Sequence, residues 1–189
     1  AVEKCLGDVA LAVDKIVERM KIGGRLLYFG AGTSGRLAVL DAAECPPTFG
    51  TDPELVQGIM AGGEDALAVA KEDVEDHKAE GVLEAEENEI TGFDSVLGLS
   101  ASGQAPYIMG VIEEANRRGA LTISITCNEK SPIDDIVDIH INTVVGPEVL
   151  MGSTRLKAGT AQKMILNMIS TMVMIKLGKA YKNLMVDLK

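Results

Sequence analysis

Residues 30–36, Gly-Ala-Gly-Thr-Ser-Gly-Arg, lie between an apolar run at residues 26–29 and a run with helical apolar spacing at residues 37–40. A strand that passes through glycines into a helix leaves the first backbone N–H groups of that helix unpaired, at the positive end of its dipole. Such N–H groups bind anions, and the hydroxyls of Thr33 and Ser34 can donate to phosphate oxygens. This glycine turn therefore predicts a phosphate site. A turn required only for packing is the alternative.

Two familiar phosphate motifs fit the glycine turn only in part. A nucleotide P-loop requires Lys and then Ser or Thr after the last glycine, and neither follows here. The glycines do match the G-x-G-x-x-G spacing of dinucleotide sites, which also require an acidic residue at the far end of the next strand. Asp52 and Glu54 instead precede the next predicted strand. The sequence thus argues against a bound nucleotide or dinucleotide.

Predicted strands alternate with predicted helices along the chain. We predict strands at residues 25–29, 55–60, 95–99, 121–126 and 139–145. We predict helices at residues 2–21, 64–80, 106–118 and 153–177, and a short helix that follows the glycine turn and ends before Pro46 and Pro47. Alternation of this kind is typical of a parallel sheet covered on both faces. The predicted fold class is α/β, a three-layer α-β-α sandwich with a central parallel sheet of about five strands.

A second turn of the same type follows the predicted strand at residues 95–99. Residues 100–103, Ser-Ala-Ser-Gly, supply two hydroxyls and a glycine between a strand and a helix. Since ligands bind at the carboxyl ends of parallel strands, we expect this serine turn near the glycine turn. Together the two turns indicate a bound phosphate or another small anion. In the alternative interpretation, Ser100 and Ser102 only cap the following helix.

Composition limits the classes of partner. With 189 residues, the chain is long enough for one well-buried domain and short for two. A net charge of -10 argues against nucleic acid or an anionic membrane surface, because both attract basic patches. Residues 164–175 form the most apolar uncharged run, which is too short to cross a bilayer. We assign this methionine-rich segment to the core rather than to a subunit interface.

Cysteine and histidine usage points to a reducing compartment and no metal. The three cysteines are widely spaced, odd in number and without a C-x-x-C pair. The two histidines, His77 and His140, are not at ligand spacing from each other or from a cysteine, so we expect no zinc site. We see no signal peptide and expect a cytoplasmic protein.

Two glutamates are candidate catalytic groups, although pattern alone does not bring them together. Glu44 lies at the end of a predicted helix, where its negative charge opposes the helix dipole. Glu75 lies in an acidic run, for which a solvated helix face is the ordinary interpretation.

Five motifs, taken together and in order, closely resemble the N-acetylmuramic acid 6-phosphate etherase family, which has the sugar-isomerase (SIS) phosphosugar-binding fold. The motifs are residues 30–36, 41–50, 100–103, 145–149 and 157–163. The similarity runs from about Gly7 to the last residue. It implies a single SIS domain over residues 1–189, without the flanking segments that family members carry, a homodimer, a phosphosugar ligand, and no metal or other cofactor.

The resemblance also implies an activity and a site. The family cleaves the lactyl ether of N-acetylmuramic acid 6-phosphate to N-acetylglucosamine 6-phosphate and D-lactate, by elimination and water addition, in cell-wall recycling. Its catalytic acid matches Glu44 and its second catalytic glutamate matches Glu75, although the two could exchange roles without altering any pattern here. An acid that works near neutral pH needs a pKa raised by burial, whereas a base must stay ionised. The expected phosphate-binding residues are Thr33, Ser34, Gly35, Ser100, Ser102 and Gly103. Glu148 and Lys157 are candidates either for contacts to the sugar or for ordering the long helix, and a surface role is an equal alternative for Lys157.

The chain departs from the family pattern after the serine turn. Family members usually have Arg-Thr there, and this chain has Gln104 and Ala105. One lost hydrogen bond to a charged group is worth about 1.5 to 3 kcal/mol, so binding weakens without being abolished. Two other functions on this fold are a phosphosugar-binding regulator, as in the glucokinase regulatory protein, and an aldose-ketose isomerase. Retention of Glu44 and Glu75 favours the lyase over the regulator, and the Glu-Cys-Pro-Pro motif at residues 44–47 is the wrong signature for the isomerase.

Overall fold

The computed structural model describes residues 1–186, in which a five-stranded sheet forms the centre. Its strands are all parallel and lie in the order β2–β1–β3–β4–β5. Their bounds are β1 Leu26–Gly30, β2 Val56–Met60, β3 Ser95–Leu99, β4 Leu121–Thr126 and β5 Ile139–Asn142. A small antiparallel pair, β6 (Ala180–Tyr181) and β7 (Leu184–Met185), was not predicted.

Helices cover both faces of the sheet. Their bounds are α1 Leu6–Met20, α2 Gly32–Phe49, α3 Asp65–Ala68, α4 Lys78–Glu87, α5 Pro106–Arg117 and α6 Lys157–Lys176. One hydrophobic cluster joins α1, α2 and α6 to one face, and a second cluster joins α4 and α5 to the other. The three-layer α-β-α prediction is confirmed. No helix within residues 1–186 is long and apolar enough to span a membrane.

The alternation of side chains along each strand separates the two cores. In β1, Leu26 and Tyr28 belong to the cluster with α1, α2 and α6, whereas Leu27 and Phe29 belong to the cluster with α4 and α5. Successive strand residues point to opposite faces, and a parallel sheet must bury both. Both faces of the sheet are therefore covered by buried apolar side chains.

The helix after the glycine turn is longer than predicted. It continues through Pro46 and Pro47 to Phe49, so the prediction that these prolines end it is wrong. Cys45 and Phe49 are buried one turn apart in the core, and this packing overrides the local preference against helix before proline. Gly50 then ends the helix in the left-handed conformation, with φ of 61°.

The acidic stretch after β2 does not form one helix, in contrast to the prediction of a helix over residues 64–80. It divides into α3, a 3₁₀ turn at Val74–Asp76 and the start of α4. Residues 69–73 are all exposed, so they offer no apolar stripe that a helix could bury. Strand β5 and helix α6 are also shorter than predicted, and a loop at residues 143–156 joins them.

Candidate phosphate-binding site

The glycine turn and the serine turn lie side by side. They follow β1 and β3, which are neighbours in the sheet, with Gly30 opposite Leu99. A cavity of about 290 Å³ opens between them, lined by both turns, by Glu75 and by the loop before α6. Its polar side chains are Thr33, Ser34, Glu75, Ser100, Ser102 and Thr154. The structure thus brings together the hydroxyls of both turns and one of the two candidate catalytic glutamates.

The glycine turn presents backbone donors to this cavity. Gly32, with φ of 55°, begins α2. The N-cap residue of this helix is Ala31, whose side chain makes no capping hydrogen bond. The N–H of Gly35 is the first to bond within the helix, to the carbonyl of Ala31 at 3.2 Å. The N–H groups of Gly32, Thr33 and Ser34 precede it and have no acceptor inside the helix. They lie at the positive end of the helix dipole.

The serine turn is organised by its own hydroxyls. Ser100 Oγ accepts the N–H of Gly103 at 3.0 Å, and Ser102 Oγ accepts the N–H of Gln104 at 3.2 Å. The two hydroxyl oxygens are 3.4 Å apart. Each oxygen accepts a backbone donor, and one hydroxyl can donate to the other, so at least one hydroxyl proton remains to be donated. The turn therefore holds its serines in place and leaves them able to bind an anion.

Electrostatically, the cavity combines one carboxylate with neutral donors. Among the described residues that line it, none is a lysine or an arginine. An anion held there would be bound by N–H and O–H groups and by the helix dipole. At the family's Arg-Thr position, Gln104 is exposed and Ala105 lines the cavity with a methyl group.

Glu44 lies apart from this cavity. It is ten residues further along α2 than Ser34, which at 1.5 Å per residue separates their backbones by about 15 Å. Its side chain is exposed. Glu75, also exposed, reaches the cavity from the 3₁₀ turn. Within one copy of residues 1–186, the two candidate catalytic glutamates do not share the cavity.

Glu148 and Lys157 meet at the start of α6. The Glu148 carboxylate accepts the N–H groups of Lys157 and Ala158, each at 2.9 Å, and so caps the helix. These two backbone hydrogen bonds lower the pKa of Glu148. Neither residue lines the cavity that contains Glu75, and the side chain of Lys157 lies beside a different groove. Glu148 thus orders α6, one of the two roles that the sequence left open.

Gln162 is a polar residue near the cavity to which the sequence analysis assigned no role. It lies on α6, is buried, and accepts a hydrogen bond from Ser34 Oγ at 2.8 Å. Its position inside the motif at residues 157–163 was the one available signal. Gly152 and Thr154, in the loop before α6, also line the cavity and were not predicted.

The cysteines carry no chemistry at this site. Cys5, Cys45 and Cys127 are free thiols and are buried. Burial raises the pKa of Cys45 and of Cys127 to about 12, so both are protonated at neutral pH.

Comparison with known proteins agrees with a phosphosugar-binding fold. A model of the SIS domain matches residues 75–172, and a model of the glucokinase regulatory protein N-terminal SIS domain matches residues 8–116. The chain belongs to the SIS-domain family. Among solved structures, it resembles phosphoheptose isomerase GmhA from Neisseria gonorrhoeae, with a TM-score of 0.70 and 18% identity, over 91% of this chain and 88% of that one. A putative phosphosugar isomerase from Bacteroides fragilis gives a TM-score of 0.68 and 22% identity, over 90% and 80%. These likenesses show the fold alone.

Within that family, the sequence is similar to curated proteins named N-acetylmuramic acid 6-phosphate etherase. The protein from Caldanaerobacter subterraneus subsp. tengcongensis is 59% identical over all 189 residues, and the one from Vibrio campbellii is 57% identical. The chain spans 62% and 61% of the lengths of these two relatives. The resemblance that the five motifs predicted is confirmed.

Proposed function

We propose that the chain is a catalytic SIS domain that cleaves the lactyl ether of N-acetylmuramic acid 6-phosphate, giving N-acetylglucosamine 6-phosphate and D-lactate. The observation that carries this proposal is the convergence of two hydroxyl-bearing turns and Glu75 on one cavity. The sequence supports it, because the relatives that bear the etherase name are 52% to 59% identical to this chain. The reaction belongs to the recycling of cell-wall amino sugars. Three free thiols support a reducing, cytoplasmic setting.

In this proposal, the two turns hold the phosphate of the ring-opened sugar. Donors come from the first N–H groups of α2 and from Ser34, Ser100 and Ser102. The phosphate does not react, so its binding energy serves to position the reacting carbons beside Glu75. The neutral donors suit a dianion, because they stabilise its charge without drawing the Glu75 carboxylate into an ion pair.

Two carboxyl groups would carry out the elimination. Glu75 removes the proton from C2, and the C2–H electrons form the C2=C3 double bond as the bond from C3 to the lactyl oxygen breaks. Glu44, as the acid, transfers its proton to the departing oxygen, which releases D-lactate. Water then adds to the double bond, its oxygen at C3 and a proton at C2. This assignment of roles follows the family resemblance.

The position of Glu44 supports a site completed by a second copy of the chain. Glu44 is exposed and about 15 Å along α2 from the cavity, too far to protonate a sugar held beside Glu75 of the same copy. Glu44 of the partner subunit could instead reach a sugar that is held in this cavity. The carboxyl also becomes buried at the interface, as an acid requires. We therefore propose a homodimer in which each cavity receives Glu44 of the partner subunit.

Exposed apolar side chains beside Glu44 support the same dimer. Leu40 lies one turn before Glu44 on α2 and is 52% exposed. Met164, Met168 and Met172 follow each other at four-residue spacing along α6, which packs directly against α2. Met164 is 42% exposed and Met172 is 38% exposed. We define the dimer face as Leu40, Glu44, Met164, Met168 and Met172, and we propose that it pairs with the same face of a second copy around a twofold axis.

Complementation between inactive variants tests both the reaction and the shared site. Glu44→Gln and Glu75→Gln should each abolish D-lactate release from N-acetylmuramic acid 6-phosphate. Refolding them together should restore about a quarter of the wild-type rate, since half of the dimers are mixed and each mixed dimer has one intact site. Glu72→Gln, an exposed glutamate in the same acidic run, is the matched control and should keep full activity.

Three outcomes would contradict parts of this proposal. A mixture that stays inactive while each variant still binds sugar phosphate would place both glutamates of a site in one copy. A monomeric mass at all protein concentrations would exclude the dimer. A wild-type chain that binds N-acetylmuramic acid 6-phosphate without releasing D-lactate would leave a binding function in place of the lyase.

A further inference from the structure

A buried glutamine stands directly behind the hydroxyl of the glycine turn. Ser34 lines the cavity and is 8% exposed, and Gln162, behind it on α6, is 1% exposed. Ser34 Oγ donates its proton to Oε1 of Gln162 at 2.8 Å. The other end of that amide, Nε2, is buried without a hydrogen-bond partner in the part of the chain that the structure describes.

This arrangement prevents Ser34 from donating to an anion. A hydroxyl has one proton, and here that proton is directed at Gln162 and away from the cavity. A half-turn of the amide about the Cγ–Cδ bond of Gln162 exchanges Oε1 and Nε2, which are nearly equal in size. Nε2 then donates to Ser34 Oγ, and the serine proton is free to turn toward the cavity. The amide nitrogen acquires a partner in the same movement, and Oε1 takes the position that Nε2 has left.

We propose that Gln162 is a positioning residue for anion binding, whose amide rotates from acceptor to donor so that Ser34 donates its proton to the phosphate. The inference rests on the proposed function only in taking a sugar phosphate as the ligand. Gln162 does not touch the ligand, and it acts through Ser34.

The packing between α2 and α6 holds Gln162 in register with Ser34. Asp41 of α2 accepts hydrogen bonds from Asn167 at 2.7 Å and from Ser170 at 3.2 Å, both on α6. At the other end of the contact, a methyl group on Gly159 would come within 3.2 Å of the Thr33 side chain. The two helices are thus fixed on both sides of the Ser34–Gln162 pair, so rotation of the amide alone changes the donor pattern.

Gln162→Glu tests the exchange with a side chain of the same shape. An ionised carboxylate accepts from Ser34 and cannot donate, so the serine stays turned away from the cavity. A protonated carboxyl can donate and restores the productive arrangement. Burial raises the pKa of the introduced carboxyl above the ordinary value of about 4.3. We therefore expect the variant to bind N-acetylglucosamine 6-phosphate at least roughly tenfold more weakly than wild type at about pH 8 and to approach wild type at about pH 5.5. Expressing each Kd as a ratio to wild type at the same pH removes the effect of ligand ionisation that the two proteins share.

Gln104→Glu is the matched control. It adds the same charge beside the serine turn, on an exposed side chain that is ionised throughout this pH range. Its ratio to wild type should therefore change with pH only because the sugar phosphate passes from monoanion to dianion near about pH 6, and by less than the ratio of Gln162→Glu. A ratio for Gln162→Glu that changes with pH no more than that of Gln104→Glu would overturn the positioning role and indicate only a structural one.

A second pair of variants applies if the buried carboxyl prevents folding. Gln162→Met keeps the side-chain length and removes both polar atoms. Because Gln162 acts through Ser34, adding Gln162→Met to Ser34→Ala should weaken binding no further than Ser34→Ala alone. Independent, additive losses would overturn the proposal.

Inorganic phosphate separates this proposal from the proposed function. If wild type binds inorganic phosphate but not N-acetylglucosamine 6-phosphate, the sugar-phosphate function fails, and the variants can still be compared with inorganic phosphate. If wild type binds neither, both proposals are overturned.

Discussion

The glycine turn and the serine turn face the same cavity, but their hydroxyls are held in different ways. In the serine turn, Ser100 and Ser102 bond to backbone N–H groups two or three residues away. In the glycine turn, Ser34 bonds to Gln162, which is 128 residues later in the chain. The hydroxyls of the serine turn are therefore held by local hydrogen bonds, whereas the hydroxyl of Ser34 depends on the placement of α6. Changes in α6 should affect the glycine turn without affecting the serine hydroxyls of the other turn.

The largest expected effect comes from the backbone of the glycine turn. A methyl group on Gly35 would lie 2.5 Å from the carbonyl oxygen of Gly30 and 2.8 Å from the Met60 side chain, and the carbonyl belongs to a central strand that cannot move aside. We expect Gly35→Ala to lower the free energy of unfolding by about 3 kcal/mol or more, measured by urea denaturation. Gly32→Ala is the control, because its methyl group meets open space and costs only about 1–2 kcal/mol for the left-handed backbone. Equal losses would refute close packing of β1 on α2.

Replacing the hydroxyls should separate binding from stability. Ser34→Ala and Ser102→Ala each remove one donor to the phosphate, worth about 1.5–3 kcal/mol, or roughly ten- to hundredfold in Kd by calorimetry. Ser34→Ala also leaves the buried Gln162 amide without its serine, so it should lower stability by about 1–3 kcal/mol, whereas the exposed Ser102→Ala should leave stability nearly unchanged. A Ser34→Ala variant as stable as wild type would show that the glycine turn does not depend on the hydrogen bond between Ser34 and Gln162.

The same distinction explains which parts of the site could be predicted. Both turns are local, so their glycines, hydroxyls and flanking strands are visible in a few consecutive residues. Strands β3 and β4 have the predicted bounds, because each is a short apolar run ended by turn residues. The pairing of Ser34 with Gln162 depends on how two helices pack, and no local pattern encodes that. The motif at residues 157–163 identified the segment that holds Gln162, but it did not predict the hydrogen bond between Gln162 and Ser34.

The elements that differ from prediction share a tertiary cause. Helix α2 continues past Pro46 because Phe49 is buried, and residues 69–73 are not helical because nothing covers them. The assignment of the methionine-rich segment to the core is only partly right. Met174 is buried in the core, while Met164 and Met172 are exposed. The sequence shows that residues 164–175 form an apolar uncharged run, but it does not show which of these side chains α6 exposes.

The smallest expected effect comes from Glu148, which reaches the glycine turn only through α6. Its carboxylate accepts two N–H groups at the first turn of that helix, and these bonds lower the pKa of Glu148. A carboxyl whose pKa is lower in the folded state stabilises the fold above its unfolded pKa, about 4.3 for glutamate, and loses that contribution as the pH falls through the folded value. Glu148→Gln should therefore be less stable than wild type at neutral pH, and the difference should shrink as the pH falls below the unfolded pKa and disappear below the folded one. Urea denaturation across this pH range measures it.

A control variant and a measurement of phosphate binding test whether Glu148 acts through the glycine turn. Glu72→Gln removes an exposed carboxylate elsewhere and should show no such pH-dependent difference from wild type. At neutral pH, a looser start of α6 shifts Gln162 and weakens the support of Ser34, so Glu148→Gln should weaken phosphate binding slightly. Combining it with Ser34→Ala should remove this loss, while combining it with Ser102→Ala should preserve it, because the serine turn makes no use of α6 for its internal bonds. A loss that persists in both combinations would mean that α6 supports the cavity by a route other than the glycine turn.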